Sequence, residues 1–544
     1  MLKMAKTVKS KKALYYFLTL VFIVVFPFAV VGAAGLENRG GTSKGLGQFV
    51  PVPDVMPVVV VSGTPAEMGY QYGYQAAAYV QEVVDAMWDA ALRKLGSKHS
   101  VERYLKRYED ELHQALPGFA TNVIEQMRGI AMGCRAAGHD ISYTDILLIN
   151  NKCAILWALP PKEELGGGCG MFAAWGSATK DGKPIAGHNR DNDVWLWHYE
   201  VVLLSYPAEG YGYSSISCAT AGSGIAEVWF MNEKGLTQLV TAGVGFRPKD
   251  IGFGVTYEWV PWYVAQNCAT TKEAIDFIVG TKKTMGVNYG YLDENGNVAN
   301  AETTYDFNHV RYPGDYGETD YINSTALHFI IPEAQAGYGR ATRVGSAAYL
   351  RYFTFRELIE QQYFGKIDVG AVKKVLSNHD VYDPDAKTWN RDNPWNSSAP
   401  CNHSRRGSGT ISSTITLPQD RTTYVCSGSP CGVWGTQGAT GEYAKLVLKA
   451  DPETSVRDAQ MTAAEYMSYA VESMRHVDFG PAYIWLRNRI EQAWEEYLKG
   501  RKSLVSTGLA KDKSVAMAHL GDAATHFCKA QVYAQHARTK AEGL

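Results

Sequence analysis

Residues 166–191 read GGGCGMFAAWGSATKDGKPIAGHNRD, and the rest of the chain is best understood outward from them. Three glycines precede Cys169 and a fourth follows it. Met171–Thr179 and Pro184–Arg190 flank Asp181-Gly182, a dipeptide that favours a tight hairpin turn. If Lys180 faces Lys183, Asp191 falls opposite Phe172, about 10 Å along the strand from Cys169. Cys169 and Asp191 then share one sheet edge. Strand parity puts the Asp191 carboxyl on the opposite face, which a one-residue bulge would correct. Glycines at 166–168 remove side-chain bulk and permit backbone conformations closed to other residues. A break before Cys169 would give its thiol a neighbouring α-amine of pKa about 8 as base, so no histidine is needed. Local sequence alone favours an ordinary loop cysteine and a turn aspartate.

The surroundings read as two kinds of structure. Ahead of the glycines, residues 52–62 form a β-branched strand, and Thr64-Pro65-Ala66-Glu67 is a capping box. A helix ending at Gly96 follows, then helical stretches over 101–116, 119–136 and 143–156. Behind the glycines, Tyr199–Tyr206, Tyr213–Cys218, Ile225–Met231 and Leu236–Thr241 continue an antiparallel meander. Helices recur over 258–280 and 340–363, and Gly409–Leu417 and Thr422–Cys426 read as strands. Beyond Thr462 the chain is helical, with Leu486, Ile490, Trp494 and Leu498 at four-residue spacing.

Composition bounds the function. The 544 residues carry 53 Lys plus Arg against 55 Asp plus Glu, so no basic field exists to hold phosphates and no nucleic-acid partner is expected. Five lysines, an uncharged apolar run over 13–34 and a small-residue end make residues 1–34 an export signal or a membrane anchor. The expected location is secreted, or anchored on the outer face of the cytoplasmic membrane through 13–34. Nine cysteines in an exported chain suggest some disulfides.

Six further segments, taken with this stretch, resemble the isopenicillin-N acyltransferase-like family of cysteine N-terminal-nucleophile (Ntn) hydrolases. They are Ser62-Gly63-Thr64-Pro65-Ala66-Glu67-Met68-Gly69 with Gly73; Glu125 with Arg128-Gly129-Ile130-Ala131-Met132-Gly133; Asp145-Ile146-Leu147 with Asn150; Asn232-Glu233-Lys234-Gly235-Leu236; Cys401-Asn402-His403; and Thr410–Ser413 with Gly428-Ser429-Pro430-Cys431. Gly168-Cys169 resembles the family's cleavage site, and Gly187-His188-Asn189-Arg190-Asp191 the motif behind it. The resemblance implies an α+β fold, a four-layer αββα sandwich, and self-cleavage before Cys169. With the leader over 1–34 and a Gly-rich, polar linker over 35–50, the resemblance implies a helical pro-region over 51–168 and a catalytic core over 169–455; the helical extension over 456–544 is not explained by the family's motifs. The resemblance also implies amide hydrolysis or acyl transfer through a thioester on Cys169, with Asp191 and Asn189 in support and no cofactor. The substrate class is a small-molecule amide or an acylated amino acid or peptide. Arg340 and Arg343 are the two candidates for the family's arginine. Thr241 and Asn323 are the oxyanion candidates, because the family's usual asparagines are missing near Val240-Thr241-Ala242 and Ala326-Leu327-His328-Phe329.

Other clusters carry less. Asn378-His379-Asp380 with Asp383 and Asp385 reads as a solvated loop rather than a metal site. Zinc at Cys401, Cys426 and Cys431 is disfavoured, since His403 is the only histidine nearby in sequence, and no metal is expected. Trp175, Trp195, Trp197 and Trp229 would line an acyl pocket or serve as core. Two other readings stay open: a related Ntn dipeptidase, and an inactive cell-surface binding protein on the same fold.

Overall fold

The computed structural model describes residues 55–158, 168–243, 251–335, 344–391, 397–403, 408–432 and 440–543. All of these lie in one unit, 50–544. The fold is mixed α+β. Strands β1 (Val58–Gly63), β4 (Glu200–Pro207), β5 (Ser215–Thr220), β6 (Trp229–Asn232), β7 (Thr237–Ala242), β8 (Val287–Leu292), β9 (Val298–Thr303) and β10 (Asn308–Arg311) form one sheet in that order. A second sheet runs β11 (Tyr321–Thr325), β2 (Gly170–Ala174), β3 (Ile185–Asp193), β14 (Ser408–Leu417), β15 (Thr422–Ser427) and β16 (Ala444–Val447). Strands β12 (Val381–Asp383) and β13 (Thr388–Asn390) make a separate ribbon.

The helices are α1 (Pro65–Leu95), α2 (Lys98–Ala115), α3 (Pro117–Ala136), α4 (Tyr143–Ile149), α5 (Trp259–Asn267), α6 (Thr271–Gly280), α7 (Pro332–Gln335), α8 (Ala347–Glu357), α9 (Val369–Leu376), α10 (Pro452–Met474), α11 (Pro481–Thr507) and α12 (Lys513–Glu542).

Strand parity sorts the core, because successive side chains point to opposite faces. Val201 and Leu203 join a cluster with Val80, Met127 and Ile146 of the N-terminal helices. Val202 and Leu204 join Met171 and Ala173 of the second sheet. Phe172 and Ala174 face the other way, onto Phe355 of α8 and Val372 of α9.

The family-like glycines of α1 and α3 have a packing role. A Cβ added at Gly69 or Gly73 would overlap the backbone of Gln126 or Ile130, and one at Gly129 or Gly133 the backbone of Ala66 or Tyr70. The two helices therefore cross with their backbones in contact. Gly73→Ala is expected to destabilise the protein by about 1–3 kcal/mol or more, since neither backbone can yield as a side chain would. A fall in the urea midpoint at unchanged slope is the check.

Three expectations change. The hairpin is looser than Asp181-Gly182 suggested: β2 and β3 pair Gly170 with Asn189 and Phe172 with Gly187. A short 3-10 turn at Gly176–Ala178 intervenes, and Gly176 N–H donates to Gly182 across a wide loop. None of the nine cysteines is in a disulfide. Helix α4 itself stops at Ile149, and the helical stretch read to 156 resumes after a break as a π-helical turn at Ala154–Ala158. The 13–34 segment lies outside the described residues, and among the described residues no helix is long and apolar enough to cross a membrane.

The tail helices, whose role the sequence left open, cover sheet edges. Thr525 of α12 accepts from the Val58 N–H of β1 at 2.8 Å. Gln531 of α12 accepts from Lys445 N–H and donates to Lys445 C=O on β16, at 2.7 and 3.1 Å. Unpaired edge groups invite association with other chains, and these side chains occupy them.

Candidate active site

Cys169 lies just ahead of β2. Its carbonyl accepts from Ala326 N–H at 2.8 Å, and its thiol accepts from the Asp191 N–H at 3.4 Å. Extending the β2–β3 register sets Cys169 opposite Arg190, so the thiol points between the sheets. Asp191 points the other way. The bulge that would have turned the Asp191 carboxyl to the Cys169 face is not present between β2 and β3, which pair without a register shift. A different bulge, on β14, pairs Arg190 with Ser412 and Asp191 with Thr410, leaving Ile411 unpaired between them. Without it, Asp191 would face an isoleucine. With it, the Thr410 hydroxyl donates to Asp191 Oδ1 at 2.8 Å.

The remaining partners of Asp191 come from elsewhere in the chain. The Asn402 amide donates to Oδ2 at 2.9 Å, and Arg351 Nη2 of α8 stands 3.9 Å away. Burial raises the Asp191 pKa to about 6 against the pull of Arg351. Burial, then the Asp191 charge, push the Cys169 thiol to about 11. The thiol is therefore protonated at neutral pH and needs a base.

The glycines around Cys169 serve close approach rather than a left-handed backbone. A Cβ at Gly168 would overlap the Arg351 guanidinium, and one at Gly170 the Phe355 ring. Gly170 has no positive φ. Helix α8 thus lies directly against the Gly168-Cys169 peptide. Arg351 also donates to the backbone carbonyls of Ala399 and Ser397.

Behind the thiol lies a buried ion cluster. Arg190 pairs with Glu200 and with Glu227 at 3.3 Å. Lys152 pairs with Glu227 at 2.9 Å and Glu258 at 3.8 Å. Lys152 precedes Cys169 in sequence, so the N-terminal region is tied to Arg190 through one carboxylate. Although burial opposes it, Lys152 and Arg190 together lower the Glu227 pKa to about 2. That depression contributes stability above the unfolded pKa of about 4.5, lost as pH falls from there toward 2. The expected stability gap between wild type and Glu227→Gln is about 3 kcal/mol at neutral pH and closes between pH 4.5 and 2. Urea titrations across that range provide the check.

The other sequence candidates are placed as follows. Asn189 donates to Leu376 and Pro400 carbonyls, both at 2.8 Å, and so anchors the segment carrying Asn402. Thr241 accepts from Asn288 at 3.1 Å, and Asn323 donates to the Tyr352 carbonyl at 3.0 Å. Arg340 and Arg343 lie outside the described residues. Trp175 follows the end of β2 away from Cys169, while Trp229 and Trp197 are fully buried, Trp197 packing on Ile411 beside the Asp191 pairing. The side chain of Trp195 lies outside the described set. Sequence reading missed Arg351, Asn402, Thr410 and Asn288 as individual site residues. Arg351 had one signal: a lone cation inside the aromatic run Tyr349–Phe355.

No protein-family model matches the chain. An uncharacterized protein of Archaeoglobus fulgidus is 26% identical over 347 residues, covering 58% of this chain and 56% of that protein. The chain thus spans little more than half of that relative's length. Among solved structures, it is similar to penicillin V acylase from Agrobacterium tumefaciens, with TM-score 0.31, 15% identity, and coverage of 48% of this chain and 83% of that one. It is also similar to a variant of conjugated bile acid hydrolase from Clostridium perfringens, with TM-score 0.32, 11% identity, and coverage of 47% and 89%. Likenesses this slight carry no argument about activity.

Proposed function

We propose that the chain is an exported, self-processing cysteine amidohydrolase of the N-terminal-nucleophile type, on a four-layer αββα sandwich. One observation carries this reading: the Cys169 thiol meets the Asp191 N–H while the Gly168-Cys169 peptide lies against Arg351, itself beside the Asp191 carboxylate. No hydrogen bond joins that thiol to a histidine among the described residues, and its pKa of about 11 calls for a base. A freed α-amine at Cys169 supplies one. It takes the thiol proton, and sulfur attacks the amide carbonyl. The C–N bond breaks, and the leaving amine departs with that proton. Water then hydrolyses the thioester, returning the thiol and releasing the acid. Asp191 balances the ammonium, and Arg351 holds Asp191.

The substrate class is a small-molecule amide or an acylated amino acid or peptide, met outside the cytoplasm. Residues 51–168 would form the released chain, 169–455 the catalytic core and 456–544 its covering extension. Intact mass of the purified full chain is the test. Two pieces divided between Gly168 and Cys169 are expected, and they should co-elute, because the N-terminal helices share a core with the first sheet and Lys152 pairs with Glu227. A single uncut, folded chain would overturn the self-processing reading.

A second reading, an inactive binding protein on this fold, has one observation in its favour. The amide groups of Asn323 and Asn288 are engaged with protein acceptors. A Cys169 thiol inert to acylating probes would select it.

A further inference from the structure

Three separate segments bring four ligand groups together on the Asn402 side of Asp191. His379 follows α9, Cys401 and His403 flank Asn402, and Cys431 follows β15. One ligand atom from each lies within 4.8 Å of all the others. His403 Nε2 is the common point, 3.1 Å from His379 Nε2 and 3.4 Å from each of Cys401 Sγ and Cys431 Sγ. An imidazole nitrogen offers one proton or one lone pair. A single hydrogen bond at that nitrogen therefore does not account for all three contacts.

A central cation satisfies all four. A tetrahedron with Zn–N of about 2.0–2.1 Å and Zn–S of about 2.3 Å has edges of roughly 3.3–3.8 Å. The observed separations of 3.1 and 3.4 Å fall at or just under that range. Two thiolates and two imidazoles favour zinc over the hard cations calcium and magnesium. Four protein ligands also leave no open position, the mark of a structural rather than a catalytic site.

We propose that His379, Cys401, His403 and Cys431 form a structural Zn²⁺ site. Binding displaces the two thiol protons to solvent, so the divalent ion and two thiolates sum to zero charge. A neutral site suits its surroundings, since Cys401 and His403 are buried. The ion ties the His379 loop and the Cys431 turn to the segment that enters β14. Asn402 stands between two ligands, and its amide donates to Asp191. Its backbone N–H and C=O bond the Thr410 hydroxyl and N–H at 2.9 and 3.0 Å. Zinc would therefore set the position of both neutral donors to the Asp191 carboxylate, making it a positioning element for the candidate site. The proposal does not depend on the catalytic reading, because its first readout is metal content.

The sequence separated these residues into unrelated groups. His379 lies 24 positions from His403, beyond the β12–β13 ribbon, and so seemed part of an acidic loop. The assumption that His403 has no second histidine nearby fails in three dimensions.

The test is elemental analysis of the full chain, purified without chelator after growth with added zinc. About one zinc per chain is expected, falling about tenfold or more in His403→Ala and in Cys431→Ser, while the control Cys426→Ser keeps its zinc. Cobalt substituted into the wild-type chain should give the visible absorption and thiolate charge-transfer bands of tetrahedral sulfur ligation. That measurement needs no variant to fold. Wild-type protein without stoichiometric metal, or a Cys401–Cys431 disulfide in peptide mapping, would overturn the proposal. So would zinc retained in both ligand variants.

Discussion

Cys169→Ala is expected to leave one uncut chain and to lower amide hydrolysis by about 10⁴-fold or more. The size follows from the proposed chemistry. Thiol and base both belong to residue 169, so one substitution removes the nucleophile and, by blocking cleavage, never frees the amine. Stability should change little, because the substitution removes a single sulfur atom whose contacts are weak, 3.4 Å to the Asp191 N–H and 3.6 Å to its carbonyl. Intact mass, thermal midpoint and turnover of one acylated substrate separate these effects. A variant that still divides before residue 169 would assign the cleavage to another group.

Arg351→Met should have the largest effect on stability. Arg351 is buried, stands 3.9 Å from Asp191, and donates to the Ala399 and Ser397 carbonyls. Its loss leaves a buried carboxylate without its cation, at an expected cost of about 3–5 kcal/mol. It also frees the 397–403 segment from α8. The Asp191 pKa, already about 6, should rise further, so a larger fraction would be protonated and unable to balance an ammonium. Asp191→Asn in the same chain should recover part of the lost stability, because the stranded charge is then absent. Urea midpoints of the two single variants and the double variant measure the coupling. A purely additive pair would show that the two residues act independently.

Much of the secondary structure was legible locally. The Thr64 capping box and the Gly96 stop both form as read, since each depends on groups within a few residues. The antiparallel succession of β4 to β7 was likewise visible in alternating strands and turns, but β2 and β3, read as part of the same meander, belong to the other sheet. The hairpin register was not legible. Asp181-Gly182 marks a turn, yet the width of the loop depends on Gly176, on Ile367 pairing with Thr179, and on Asp320 accepting from Ser177. Those partners are distant in sequence.

The candidate site divides in the same way. Cys169 and Asp191 could be named from one stretch because a strand, a turn and a strand join them. Arg351, Asn402 and Thr410 could not be assigned individually, because each reaches Asp191 from another element. A bulge at Ile411 decides that a hydroxyl rather than an aliphatic side chain faces the carboxylate. Short-range backbone geometry encodes the helix caps, the alternation of the strands and the nearness of Cys169 to Asp191 on one ribbon, all of them legible from neighbouring residues. The partners of that aspartate, the convergence of His379 with His403 and the use of the tail helices as edge covers emerge only once the chain is folded. Such contacts depend on chain segments far apart in sequence meeting across strands and helices, which local periodicity does not encode.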